Sequence, residues 1–243
     1  MRRLSPSPDQ TELSSDDLAA AYATSADRPV RASFVSSTDG SASLDGRSGG
    51  LGTAADRRVL AMLRDLCDVI FVGAGTARAE GYGPPPSTPE RRARRLSLGL
   101  SPIPRLAVVS ARLDLDPAAP LFQSDPRTIV VTHAAAPADR RQALEAVADV
   151  LVAGADGVDT GQALDLLSGR GLTRVLCEGG PTLAGTLLSA GRLDELCLTL
   201  SPLLAGGTGG RILHLAEAAP NGLELVHVLE EEGALFLRYA VTR

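Results

Sequence analysis

The 243-residue chain has no tryptophan, and aromatic residues make up only 3% of it. So few flat rings leave no stacking platform of the kind that single-strand nucleic-acid binders use. Positive charge is not in excess either. With 24 basic against 29 acidic residues the net charge is −5, so no overall positive field holds a phosphodiester backbone and no nucleic-acid partner is expected. The three histidines, His133, His214 and His227, stand singly, without the H-E-x-x-H spacing that puts two ligands on one helix face, and no metal is expected. Cys67, Cys177 and Cys197 lie far apart in apolar surroundings with no C-x-x-C pair; they read as reduced core residues. After Arg2 and Arg3 the amino terminus runs into proline, serine and acids instead of an apolar stretch. That pattern is neither a signal peptide nor a membrane span, and a cytoplasmic protein without a membrane partner is expected.

What the chain does have is 44% hydrophobic residues, enough for one substantial core. Residues 1–14 are polar and read as a loose arm, and Ser15-Asp16-Asp17 before Leu18–Tyr22 starts a short helix, so that 1–28 form an amino-terminal arm and 29–243 a single domain. A first strand is expected at Arg31–Ser36. Thr53 with Asp56 three residues on resembles a capping box, and Val59, Leu60, Leu63 and Leu66 recur at helical spacing, giving a helix over about 54–66. The apolar, β-branched run Val69–Val72 reads as a buried parallel strand. Residues 83–104, rich in proline and arginine, read as a loop. Within them Glu90–Arg95 is either a grip for a substrate phosphate or a solvated face. Strands are then expected near 106–110, 128–132, 150–153 and 174–178, and helices over 138–147, 160–169 and 182–190. Three closing strands, 195–200, 223–230 and 234–241, follow, the last two joined by a hairpin at Glu231-Glu232-Gly233. The alternation predicts an α/β fold with a mainly parallel central sheet, flanking helices and a carboxy-terminal antiparallel hairpin.

Two segments carry a buried strand into glycine and then into a helix, the arrangement that offers free backbone N–H groups to a phosphate. They are Val72-Gly73-Ala74-Gly75-Thr76 and Glu178-Gly179-Gly180-Pro181-Thr182. Either alone reads first as an ordinary strand-to-helix turn, and two in one chain strengthen the phosphate reading. The first has Arg78 where a dinucleotide fingerprint needs its third glycine, which disfavours a Rossmann domain. The cluster Gly206-Gly207-Thr208-Gly209-Gly210 is either an anion cradle or a flexible connection, and reads as the latter.

In order along the chain, Ser37-Thr38-Asp39-Gly40, Asp45–Leu51, Leu63-Arg64, Asp68–Thr76, Glu178–Leu183 and Leu193–Leu196 resemble the pyrimidine reductase family of riboflavin biosynthesis. That family is the reductase portion of a bifunctional deaminase–reductase, with a dihydrofolate-reductase-like fold. The resemblance implies NADPH as cofactor, contacted by Val35, Thr76, Glu80, Ser110, Arg112, Gly179, Gly180, Pro181, Thr182, Leu183 and Thr186. Arg112 would pair with the 2′-phosphate. It implies substrate contacts at Ser48, Arg64 and Glu178, with Glu178 or water delivering the proton. On the residues alone, the preferred reading is that Arg64 pairs with a surface acid such as Asp68 and that Glu178 caps a nearby helix. The chain departs from the family in lacking the deaminase portion, in carrying Glu80 where the bifunctional enzymes have aspartate, and in Gly81–Pro86, which does not keep the residues that help to hold substrate. The implied reaction turns the ribosyl group of a 5-amino-6-(5-phosphoribosylamino)uracil-type compound into a ribityl group. The alternatives are a dihydrofolate-like pterin reductase and a nucleotide-binding protein without catalysis. The apolar closing strands imply a homodimer.

Overall fold

A computed structural model describes residues 1–8, 11–24, 26, 29–214 and 220–242. Residue 28, where the arm was expected to end, and Arg243 lie outside the described residues. The elements in chain order are β1 (Arg2–Ser5), α1 (Ser15–Tyr22), β2 (Val30–Ser37), α2 (Ala54–Asp65), β3 (Val69–Gly73), α3 (Ala74–Ala79), α4 (Pro89–Ser97), β4 (Arg105–Val109) and β5 (Ile129–Thr132). They continue with α5 (Ala138–Glu145), β6 (Asp149–Val152), α6 (Thr160–Ser168), β7 (Val175–Cys177), α7 (Pro181–Ser189), β8 (Glu195–Ser201), β9 (Gly222–Glu231) and β10 (Ala234–Thr242).

The strands form one sheet in the order β1-β9-β10-β8-β2-β7-β3-β4-β5-β6. From β8 to β6 the neighbours run parallel, while β10, β9 and β1 pair antiparallel. This is the expected architecture. Helices cover both faces of the parallel part, which is why β3 is apolar at successive positions. Ile70 and Val72 pack on the side of Val59, Met62 and Leu63 from α2. Val69 and Phe71 pack on the other side with Leu183 and Leu187 from α7. Thr53 caps α2 by accepting the Asp56 N–H at 3.1 Å, as the sequence predicts.

Three readings need correction. The arm is not loose at its start: β1 pairs with β9, Arg2 Nε lies 2.7 Å from Glu230, and the terminal amine is 3.0 Å from Glu231. The stretch 83–104 contains helix α4, with Thr88 as its N-cap, Pro89 in the first turn, Glu90 at the positive end and Arg94 and Arg95 at the negative end. Arg92 keeps a solvated position beside the Ser87 hydroxyl, but the other three arginines are engaged within the fold. Arg91 and Arg94 bind the buried Asp65 at 2.7 and 3.0 Å, and Arg95, 1% exposed, donates to the carbonyls of Arg64, Cys67 and Ser101. Finally, the glycine cluster near 206 is anchored. The Asp39 carboxylate accepts the N–H groups of Ala205 and Gly206 at 3.0 and 2.7 Å, and the Gly210 carbonyl accepts from Ala42 at 2.8 Å. Those bonds and the Ser37 hydroxyl, the largest influence, hold the Asp39 carboxyl down at about 2.

Candidate active site

Parallel strands leave their carboxyl ends and the following helix N-termini on one edge of the sheet, where a crevice forms. Here β2, β3 and β7 end together. A cavity of about 310 Å³ lies over them, walled by Phe34 and Val35 of β2, Asp56 of α2, Thr76 of α3 and the Glu178–Pro181 segment. Ser48, Glu80 and Tyr82 join it to a second cavity of about 330 Å³ that reaches Arg64. Gly75 joins it on the other side to a third, of about 360 Å³, lined by Ser110, Arg112, Thr182, Leu183 and Thr186.

The turn from β7 into α7 depends on glycine at two positions. Gly179 has φ +93°, and a Cβ there would meet the Phe34 ring at 3.3 Å. A Cβ on Gly180 would lie 2.7 Å from the Thr76 hydroxyl, so the two glycine loops are pressed together. The Gly73 N–H reinforces this contact by donating to the Gly179 carbonyl at 2.8 Å. Pro181 has no N–H, so the first turn of α7 offers those of Thr182 and Leu183 toward the third cavity. The side chain of Leu183 is buried in the core, and the Thr186 hydroxyl donates to the Leu183 carbonyl at 2.8 Å. Ser110 is buried, whereas Arg112 is exposed. Open space around Gly75, the α7 amides and Arg112 together suit a dinucleotide phosphate chain.

At the other end, Arg64 grips Glu178 with two bonds, Nε to Oε1 at 2.7 Å and Nη2 to Oε2 at 2.6 Å. The Tyr82 hydroxyl donates to Oε2 at 2.6 Å, and the Arg64 guanidinium sits 5.7 Å from the centre of the Tyr82 ring. Burial alone would lower the Arg64 pKa, yet the Glu178 carboxylate raises it above the ordinary arginine range. Burial, and then the Glu178 charge, push the Tyr82 phenol well above its usual value. Neither bland reading holds: Asp68 accepts from the N–H groups of Thr173 and Arg174, and Glu178 caps no helix. Glu80 has a partner within the protein, accepting the Ser48 N–H at 2.7 Å, which fixes the loop residue Ser48 over the cleft.

The residues named from the sequence thus fall on one connected crevice. Tyr82 and Asp56 are among the lining residues that were missed. Tyr82 lies in the segment read only as a departure from the family, and Asp56 was read only as part of a helix cap. Nothing in the local sequence marks Tyr82. Asp56 carried a signal, an acid in the first turn of a helix that follows a glycine-rich loop.

Residues 28–232 match the RibD C-terminal domain family. The chain belongs to that family. It is 32% identical over 152 residues to the 2,5-diamino-6-ribosylamino-4(3H)-pyrimidinone 5′-phosphate reductase of Archaeoglobus fulgidus, covering 63% of this chain and 69% of that protein. It is 31% identical over 176 residues to the riboflavin biosynthesis protein RibD of Mycobacterium tuberculosis, covering 72% of this chain and 42% of that one. Among solved structures, a pyrimidine reductase-like protein of Corynebacterium diphtheriae superposes with a TM-score of 0.80 at 31% identity, over 89% of this chain and 92% of that one. The riboflavin biosynthesis reductase Rib7 of Saccharomyces cerevisiae shares the fold, with a TM-score of 0.65 at 18% identity over 92% and 94% of the two chains. The α/β fold with a mainly parallel sheet expected from the sequence is thus the fold of these reductases.

Proposed function

We propose that this member of the reductase family reduces the ribosylamino group of a pyrimidine phosphate with NADPH, as a step in riboflavin biosynthesis. The observation that carries the reading is the junction of the two glycine loops at Gly180 and Thr76. It lies between the cavity at the α7 N-terminus, whose amides suit a phosphate, and the cavities lined by Arg64, Tyr82 and Glu178. Bound there, the nicotinamide supplies hydride; the protein binds and orients the two partners. Thr182 and Leu183 hold the pyrophosphate by their N–H groups, with Arg112 beside the 2′-phosphate. Ser48 and Glu178 face the substrate. Both Glu178 oxygens already accept hydrogen bonds from Arg64 and Tyr82, so Glu178 positions and does not deliver the proton.

No helix among the described residues is long and apolar enough to cross a membrane. A homodimer fits the exposed Leu223, Leu225 and Val226 on β9. The deciding experiment titrates the protein with NADPH and NADH by ligand fluorescence and then offers the ribosylaminopyrimidine phosphate and dihydrofolate as substrates. NADPH binding lost in Gly180→Asp, with turnover on the pyrimidine, supports the reading. Turnover on dihydrofolate alone replaces the pyrimidine with a pterin, and failure to bind either nucleotide removes the reductase.

A further inference from the structure

We propose that Asp56 is the acid that opens the ribosyl ring of the substrate, a role that rests on the reductase reading above. Three carboxyl groups line the main cavity: Asp56, Glu80 and Glu178. Glu178 is taken at both oxygens by Arg64 and Tyr82, and Glu80 is bound at Oε1 to the Ser48 N–H. Asp56 accepts from no guanidinium and from no backbone N–H among the described residues. It stands in the first turn of α2, hydrogen-bonded to the Thr199 side chain, and its Oδ2 lies so close to Gly52 that a Cβ there would be 2.8 Å away. Gly52 on one side and Thr199 on the other therefore hold the carboxyl in place on the cavity wall.

Its surroundings favour a proton. Burial raises the Asp56 carboxyl above its ordinary value, and the Thr199 bond and exposed Arg57 only partly offset this. The other charged or titratable groups facing it are Glu80, Glu178, Tyr82 and Arg211 around the cavity and Tyr22 from α1. A half-buried acid with a raised pKa is suited to general-acid work.

The step balances without an oxidant or reductant. The Asp56 proton passes to the ring oxygen O4′, and the C1′–O4′ bond breaks with its electron pair staying on oxygen. The lone pair of the exocyclic nitrogen then forms C1′=N⁺. The product is the open-chain iminium isomer of the substrate, next to the Asp56 carboxylate; reclosure returns the proton. Ring opening also interconverts the two anomers at C1′, so it is visible with no cofactor present.

The test measures anomer exchange of a ribosylaminopyrimidine 5′-phosphate, ¹³C-labelled at C1′, by exchange NMR on the cofactor-free protein. The wild-type protein is expected to speed exchange at least about tenfold over buffer, with the gain lost as pH rises through the raised carboxyl pKa. Asp56→Asn should bind the pyrimidine and NADPH with unchanged Kd and melt normally, yet leave exchange at the buffer rate. Asp56→Ala should recover exchange when formate is added. Exchange in Asp56→Asn as fast as in wild type overturns the proposal and leaves the reductase reading standing. Failure of the wild-type protein to bind the pyrimidine at all overturns both.

Discussion

Removing the Arg64 guanidinium leaves the Glu178 carboxylate, whose side chain is 3% exposed, with only the Tyr82 hydroxyl as partner. An uncompensated buried charge of this kind costs about 3–5 kcal/mol. Arg64→Ala is therefore expected to lower unfolding free energy in urea by about that much. Tyr82→Phe, which keeps the ring over Arg64 but removes a bond to a charged acceptor, should cost about 1.5–3 kcal/mol. A different group sets an acid limit on the fold. His227 packs edge-on against Tyr22 with ring centres 4.9 Å apart, and burial, then Arg238 and Arg3, lower its pKa from 6.5 to about 4. The unfolded chain takes up this proton near 6.5 and the folded protein only near 4, so stability falls as pH drops through that interval. The neighbouring Glu195 carboxyl is also perturbed: burial raises it, but Arg238 and Arg31 leave it lowered overall. His227→Phe should lose less Tm than wild type between pH 7 and pH 5, and an equal loss would show that another group sets the limit. At this scale the site was partly legible. Gly179 and Gly180 announce a tight strand-to-helix turn by residue type alone, whereas the Tyr82–Glu178 bond joins residues 96 positions apart and leaves no local trace.

Elements with periodic apolar faces were readable because the pattern that buries them is written in their own residues. The helix α2 and the strand β3 are examples. The helix α4 was not, since its proline and arginine content resembles a loop. The signal lay in Thr88-Pro89-Glu90, a cap, a first-turn proline and an acid at the positive end. Its buried side is made of arginines, so hydrophobic periodicity had nothing to report. The strand β1 takes its form from pairing with β9, as the Arg2–Glu230 contact across 228 positions shows. Asp65 is what fixes α4 to α2: it is 1% exposed and receives Arg91 and Arg94. Asp65→Ala removes the carboxylate that Arg91 and Arg94 share, leaving them the Pro86 and Ala61 carbonyls and the Ser15 hydroxyl, and the expected loss is about 3 kcal/mol, read from the urea midpoint. Because Arg95 on α4 also ties down the Arg64 carbonyl, the same change should loosen the Arg64–Glu178 pair and weaken pyrimidine binding severalfold. An unaltered pyrimidine Kd would separate α4 from the site.

At the scale of the molecule, the sheet is asymmetric. Its β6 end closes on short parallel strands under helices, while its other end is a long antiparallel ribbon. The strand β1 pairs with β9 only between Val228 and Glu230, so residues 222–226 of β9 have no outer strand among the described residues. Leu223, Leu225 and Val226 along that stretch are 46%, 44% and 39% exposed. An unpaired edge with several apolar side chains is a liability in an isolated molecule, which burial against a second copy removes. A two-fold contact would pair the same edge with itself, and each apolar side chain would count twice. A single charge there should be enough to oppose it. Sedimentation at micromolar concentration is expected to give a dimer for the wild-type chain and a monomer for Leu225→Glu. The variant should still bind NADPH, since the cavity proposed for the dinucleotide, at the α7 N-terminus, lies on the far side of β2 from this ribbon. A wild-type monomer would leave the β9 edge without the partner its composition calls for, and loss of NADPH binding in the variant would tie the edge to the site.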